Sequence, residues 1–179
     1  MLRNRKNIRL RNYDYSSEGW YFVTICTKNR RHYFSEIGDG IVTFTPIGNQ
    51  AIAYWQEIPQ HFPKVELGEF VVMPNHIHGI IGIVFDAGSR HGVTPQYVAP
   101  QDNTPQINEF GKTIPGSLSA IIGQFKSTLT RWNNKNSNSH FAWQSKFHDH
   151  IIRNQDEFDR IENYIVNNIK NWKDDGFFK

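Results

Sequence analysis

Phe70 to Val84 reads F-V-V-M-P-N-H-I-H-G-I-I-G-I-V, and the fold turns on how this apolar run is read. Strand side chains alternate between the two faces of a sheet. Read as strand, the run puts His76 and His78 on one face and Ile77 on the other. Two residues of rise span roughly 6.6 Å, so both imidazoles can lean onto one cation. Val71, Met73, Ile77, Ile81 and Ile83 take the opposite parity and make a core-facing row. Pro74-Asn75 interrupts the run just before the histidines, which predicts a kink or bulge there. Strand histidines are more often packed or exposed than metal-bound. The pair therefore needs a third ligand and a nucleophile elsewhere in the chain.

Working outward, Trp20 to Thr27 (W-Y-F-V-T-I-C-T) is β-branched and aromatic, the composition of a strand. Glu36 to Thr45 predicts a hairpin turning at Gly38-Asp39-Gly40. Ile47, Ala51, Tyr54, Trp55 and Ile58 recur at helical spacing, so residues 46–60 read as a helix opened by Pro46 and ended before Pro63. Val65 to Met73 reads as a further strand. Leu118, Ile121, Ile122, Phe125 and Leu129 stripe a helix over 118–132, followed by a polar loop over 133–139. Phe147 to Arg153 is a short strand. The last helix runs from Asp156 to about Trp172, capped by Asn154 or Asp156.

One segment breaks this rhythm. Residues 86–113 hold Pro95, Pro100 and Pro105, much Gly, Gln and Asn, and two Thr-Pro-Gln triplets. They read as a long mobile loop inside one domain spanning 1–179, because neither flank is long enough to stand alone.

The 179 residues carry 38% hydrophobic and 14% aromatic side chains and a net charge of +3, enough for a real core and mildly basic. Arg3, Arg5, Lys6, Arg9 and Arg11 crowd the first twelve residues with no acid among them. This is either a solvated basic arm or a phosphate-binding one. The single cysteine, Cys26, excludes an intrachain disulfide and suits a reducing cytosol. No apolar run approaches the roughly 18 residues of a membrane span.

The last predicted helix carries a polar anomaly. Phe158, Ile161, Ile165, Asn168 and Trp172 step 3, 4, 3, 4 along its buried stripe. An amide buried there without partners costs on the order of 1–3 kcal/mol. Tyr164 lies one turn before Asn168. If this helix packs on the histidine face of the sheet, His76, His78, Tyr164 and Asn168 converge. His148 and His150 form a rival same-face pair. The 76/78 pair is preferred because Ile77 anchors its strand in the core, whereas Asp149 between the rivals would point inward.

V-M-P-N-H-I-H-G-I, F-K-S at 125–127, W-Q-S-K-F-H-D-H-I-I-R at 143–153 and Y-I-V-N-N at 164–168 together resemble the single-tyrosine HUH transposases of small insertion sequences. The likeness is nearest to the REP-associated tyrosine transposases and runs from about Tyr13 onward, except over the loop. Ile169 departs from the proline common in that branch. The resemblance implies an α+β fold, an antiparallel ferredoxin-like sheet with helices packed on it and the HUH motif on a central strand. It implies His76, His78 and Asn168 as ligands of a divalent metal, Mg²⁺ or Mn²⁺, and Tyr164 as the catalytic nucleophile. The implied activity is cleavage and rejoining of single-stranded or hairpin DNA through a 5′-phosphotyrosine. Insertion-sequence relatives form homodimers, whereas REP-associated ones are often monomers. The basic arm, Lys126, Arg131 and the lysines of 170–173 are the candidate phosphate contacts, with exposed aromatics for unpaired bases. Two alternatives stand beside this reading: a catalytically idle hairpin-DNA-binding protein of the same fold, and a metal-dependent hydrolase.

Overall fold

A computed structural model describes residues 13–85 and 113–178. The basic arm 1–12 and all but Thr113 of the loop read over 86–113 lie outside the described residues. Four strands form the main sheet: β1 (Gly19–Cys26), β4 (Val65–Val72), β5 (His76–Ile83) and β6 (His148–Ile152). Their spatial order is β4-β5-β1-β6, with every neighbouring pair antiparallel. Between β1 and β4 come a hairpin, β2 (Ser35–Gly38) with β3 (Ile41–Phe44), then α1 (Pro46–Gln56) and the single turn α2 (Ile58–His61). α3 (Leu118–Asn136) connects β5 to β6, and α4 (Gln155–Asn167) follows β6. Order and pairing are those of a ferredoxin-like α+β sheet, with β5 in its interior.

The reading of the histidine stretch needs one correction. Pro74-Asn75 is neither kink nor bulge within a strand. It is the tight turn of a β4–β5 hairpin, closed by Met73 N–H donating to the His76 carbonyl at 2.9 Å. Val72 therefore lies opposite Ile77, and Val71 opposite His78. Parity does not carry through a turn. Val71 and Met73 share the face of the histidines, while Ile77, Ile81 and Ile83 take the other. The true irregularity sits earlier, in a register shift between Leu67 and Phe70 of β4.

Each sheet face is covered. Tyr21, Val23, Ile25, Ile77 and Ile81 pack under α1 and α3 through Ala51, Trp55, Ile121, Ile122 and Leu129. Trp20, Val71, Met73, Ile80 and Ile152 meet Phe158, Ile161 and Ile165 of α4 and Trp172 beyond it. Every residue of β5 is buried, as expected of a strand clad on both sides. Two of its glycines admit a tryptophan each. A Cβ on Gly79 would lie 2.3 Å from the Trp55 ring, and one on Gly82 would lie 2.9 Å from Trp20.

Boundaries shift where local chemistry demands. The hairpin turns at Asp39-Gly40, both at positive φ, the conformation a two-residue hairpin loop prefers. The helix read over 46–60 breaks after Gln56. Pro59 has no N–H to continue the ladder, and its ring would meet the carbonyl of Trp55. α3 outlasts its expected end at 132 because Asn133 is satisfied inside it, donating to the Ser139 carbonyl at 3.0 Å and accepting from the Ser139 hydroxyl at 3.1 Å. α4 stops short of Trp172, since Asn168 N–H turns to the Ile165 carbonyl, an i−3 bond. Its other end is capped as read: Asn154 Oδ1 accepts from Glu157 N–H at 2.9 Å.

Candidate metal and tyrosine site

α4 packs on the histidine face, and the burial of its stripe follows from that contact. Asn168 is 3% exposed, and Tyr164 stands at the rim, 45% exposed. The Tyr164 hydroxyl lies 3.1 Å from His78 Nε2. The His76 and His78 rings meet edge to face, with centroids 4.4 Å apart. Phe22 stacks on His78 at 5.2 Å and meets the Tyr164 ring edge-on at 6.1 Å, so the tyrosine ring is braced while its hydroxyl remains reachable.

A third group arrives from the segment after α4. Asp175 Oδ2 is 4.0 Å from His76 Nε2, and its side chain is 3% exposed. Ligand atoms of His76, His78 and Asp175 all lie within 4.8 Å of one another. The 4.0 Å contact is not an ion pair. Burial first, then the neighbouring His78 and Arg30 charges, depresses the His76 pKa from 6.5 to about 2, and burial takes His78 to about 3. Both imidazoles are neutral at physiological pH. His76 Nδ1 sits 2.8 Å from Asn75 Oδ1, an oxygen that only accepts. The proton is therefore on Nδ1, and Nε2 turns a bare lone pair toward Asp175.

Electron-rich atoms thus face one another with no hydrogen between them. His76 Nε2, Asp175 Oδ2 and Asn168 Oδ1 are all buried and lack a hydrogen-bond partner among the described residues. Orphaned acceptors of this kind are costly alone, and a cation between His76 Nε2 and Asp175 Oδ2 would satisfy both. Two imidazole nitrogens with a carboxylate oxygen suit a divalent transition metal, the nitrogens favouring Mn²⁺ over Mg²⁺. The residues fit a metal centre. Two neutral imidazoles and an amide carry no charge, whereas Asp175 adds one negative charge.

The Tyr164 hydroxyl is held protonated. Its pKa is raised by burial and by the Asp175 charge, and the neighbouring Asn168 amide pulls it partly back. Cys26 faces His76 across the β1–β5 ladder, and burial pushes its thiol up to about 11.

The other residues read as site members spread widely. Lys126 is turned inward, its ammonium donating to the carbonyls of Gln144 at 2.7 Å and Ser145 at 3.3 Å. Arg131 is on the opposite side of the sheet, in a surface groove with Trp132 and Lys135. Arg3, Arg5, Lys6, Arg9 and Arg11 lie outside the described residues. His150 of the rival pair bonds Glu157 at 2.8 Å on the exposed edge. Sequence reasoning missed Asp175, which lies beyond the helix read to about Trp172 and outside any helical spacing with the histidine strand. It also missed Asn75 and Thr24, whose side chains bond the inner nitrogens of His76 and His78, each at 2.8 Å.

A Haemophilus influenzae protein of uncharacterized function is 37% identical over 177 residues, covering 99% of this chain and 94% of that one. The two belong to one family. No family model matches the chain. Among solved structures, a REP-associated tyrosine transposase bound to a REP hairpin superposes over 90% of this chain and 73% of its own, with a TM-score of 0.55 and 19% identity. The fold is transposase-like. A Deinococcus radiodurans protein described as a transposase covers 89% of this chain and 95% of its own at 16% identity and a TM-score of 0.41. No helix among the described residues is long and apolar enough to cross a membrane.

Proposed function

We propose that this protein is a tyrosine transposase that cuts and rejoins single-stranded DNA beside a hairpin, with Tyr164 as nucleophile. The observation that carries the reading is a reachable phenol 3.1 Å from an imidazole of a buried His-His-Asp cluster. The transposase-like fold supports it. His76, His78 and Asp175 would hold the divalent metal, Mn²⁺ or Mg²⁺, with Asn168 as a further donor, and when bound it would supply Lewis-acid stabilisation of the charge that builds on the attacked phosphate.

Chemistry at the chain's own residues follows from their placement. Tyr164 Oη attacks phosphorus in line, an O–P bond forms, and the bond to the leaving 3′ oxygen breaks. The products are a 5′-phosphotyrosine and a 3′-OH that takes up a proton. Because the linkage stays a phosphodiester, a second 3′-OH reverses the step without ATP. The phenol's proton passes to solvent during attack, balancing the one the leaving 3′ oxygen takes up, and the bracing of the ring by Phe22 keeps its oxygen directed at the cluster. One chain supplies every group of this centre, so a monomer suffices and a homodimer is not required for cleavage. The basic arm with Arg3, Arg5, Lys6, Arg9 and Arg11, together with exposed Lys170 and Lys173, contacts DNA phosphates; Arg131 contacts them from the far groove. A cytosolic location suits the free Cys26.

The test uses single-stranded DNA bearing a hairpin and an unpaired flank, incubated with protein and Mn²⁺. The wild type should give an adduct stable on denaturing gels, and Tyr164→Phe should give none while still binding DNA. Metal-dependent strand scission by Tyr164→Phe, without an adduct, would point to the hydrolase instead. DNA binding without scission by the wild type would point to an idle binding protein.

A further inference from the structure

Asn75 is wholly buried in the β4–β5 turn, and every polar atom of its side chain is engaged. Its Nδ2 donates to the Phe177 carbonyl at 2.9 Å and to the Arg30 carbonyl at 3.3 Å. Those two acceptors settle the amide's orientation, since a flipped amide would set its oxygen against two carbonyl oxygens. The remaining atom, Oδ1, therefore faces His76 Nδ1. The turn itself is pinned, as the Asn75 carbonyl accepts from Thr27 N–H at 2.9 Å and Thr27 Oγ1 at 3.0 Å.

The segment that Asn75 holds is the one that delivers Asp175. Residues 175–178 form a strap across the histidines. Phe177 packs 4.6 Å from the His76 ring, Arg30 Nη1 donates to the Gly176 carbonyl at 3.0 Å, and the Arg30 guanidinium lies 4.9 Å over the Phe177 ring. Phe177 N–H takes up Asp175 Oδ1 at 2.6 Å, which leaves Oδ2 as the oxygen turned to His76. The bond from Asn75 to Phe177 closes this arrangement.

We propose that Asn75 is a positioning residue that aims two donors at once: its oxygen keeps His76 Nε2 bare, and its nitrogen holds the strap that presents Asp175. This rests on the reading of His76 and Asp175 as metal ligands, but two of its consequences do not need metal. In metal-free protein, long-range proton–nitrogen NMR should find the His76 proton on Nδ1. Asn75→Ala should shift His76 toward the Nε2–H tautomer and speed amide exchange at 177–178. Asn75→Asp keeps an acceptor for Nδ1–H but cannot donate to Phe177, so it should retain the tautomer and still release the strap. Mn²⁺ affinity by calorimetry should fall about 10–100-fold in Asn75→Ala and less in Asn75→Asp.

A wild-type His76 protonated on Nε2 overturns the proposal without any variant. So does an Asn75→Ala protein that keeps the wild-type tautomer and strap exchange. If the wild type binds no Mn²⁺ while tautomer and strap respond as stated, the metal reading fails and the positioning role stands.

Discussion

Asp175 and Asn168 both offer an orphaned oxygen, yet they should not weigh equally. Asp175→Asn keeps the shape and removes the only formal negative charge of the cluster, so Mn²⁺ affinity by calorimetry should drop on the order of 10- to 100-fold. Asn168→Ala should cost less, because water can enter the vacated position; equal losses would contradict this order. His148→Ala should leave affinity unchanged, since that side chain is exposed on β6. At this scale the sequence showed adjacency by spacing. His76 and His78 alternate on one strand, and Tyr164 and Asn168 lie a turn apart on one helix. It did not show Asp175, which reaches the cluster only because the chain tightens into a 3₁₀ turn over Trp172–Asp174 and becomes extended at Asp175. Nothing in an i, i+4 pattern reports such a turn. Lys126 illustrates the opposite limit. A lysine beside an apolar stripe looks like a phosphate contact until a loop closes carbonyls around its amine.

Elements were legible where periodicity was long, and misread where a turn passed for a strand defect. The β4–β5 turn hides inside an apolar run because β5 is buried along its whole length and β4 is buried at Val71 and Val72 beside the turn, which erases the polar punctuation of a hairpin. Proline was the remaining signal, and it fits a turn as well as a kink. β5 itself offers a test of how it is clamped. Gly79→Ala drives a methyl into the Trp55 ring and should destabilise the protein by about 1–3 kcal/mol or more, read from urea unfolding. Gly82→Ala, meeting Trp20 less severely, should cost less. If Gly79→Ala unfolds like the wild type, the close approach of Trp55 is not a constraint on the histidine strand.

Stability of the whole molecule should depend on pH through its two buried imidazoles. Their folded pKa values, about 2 and about 3, lie well below the ordinary 6.5. As pH falls, the unfolded chain takes up protons that the folded chain refuses. Stability is therefore full above about pH 6.5 and drains as pH falls toward the folded values. Between pH 7 and pH 5 the loss should be on the order of 2 kcal/mol per histidine in metal-free protein. Urea titrations of the wild type and of His76→Ala/His78→Ala check this, and the double variant should show the shallower slope. A further consequence lies in Trp172, 4% exposed and with its ring centroid 6.0 Å from that of His76. Trp20, the other indole on this face, packs on Phe158, while Trp55, Trp132 and Trp143 belong to the opposite core. The protein thus carries its own optical gauge. Paramagnetic Mn²⁺ entering the cluster should quench the emission of Trp172, closed-shell Mg²⁺ should leave it bright, and Trp172→Phe should remove the response. Occupancy of the centre can then be followed in a cuvette, with no label and no DNA.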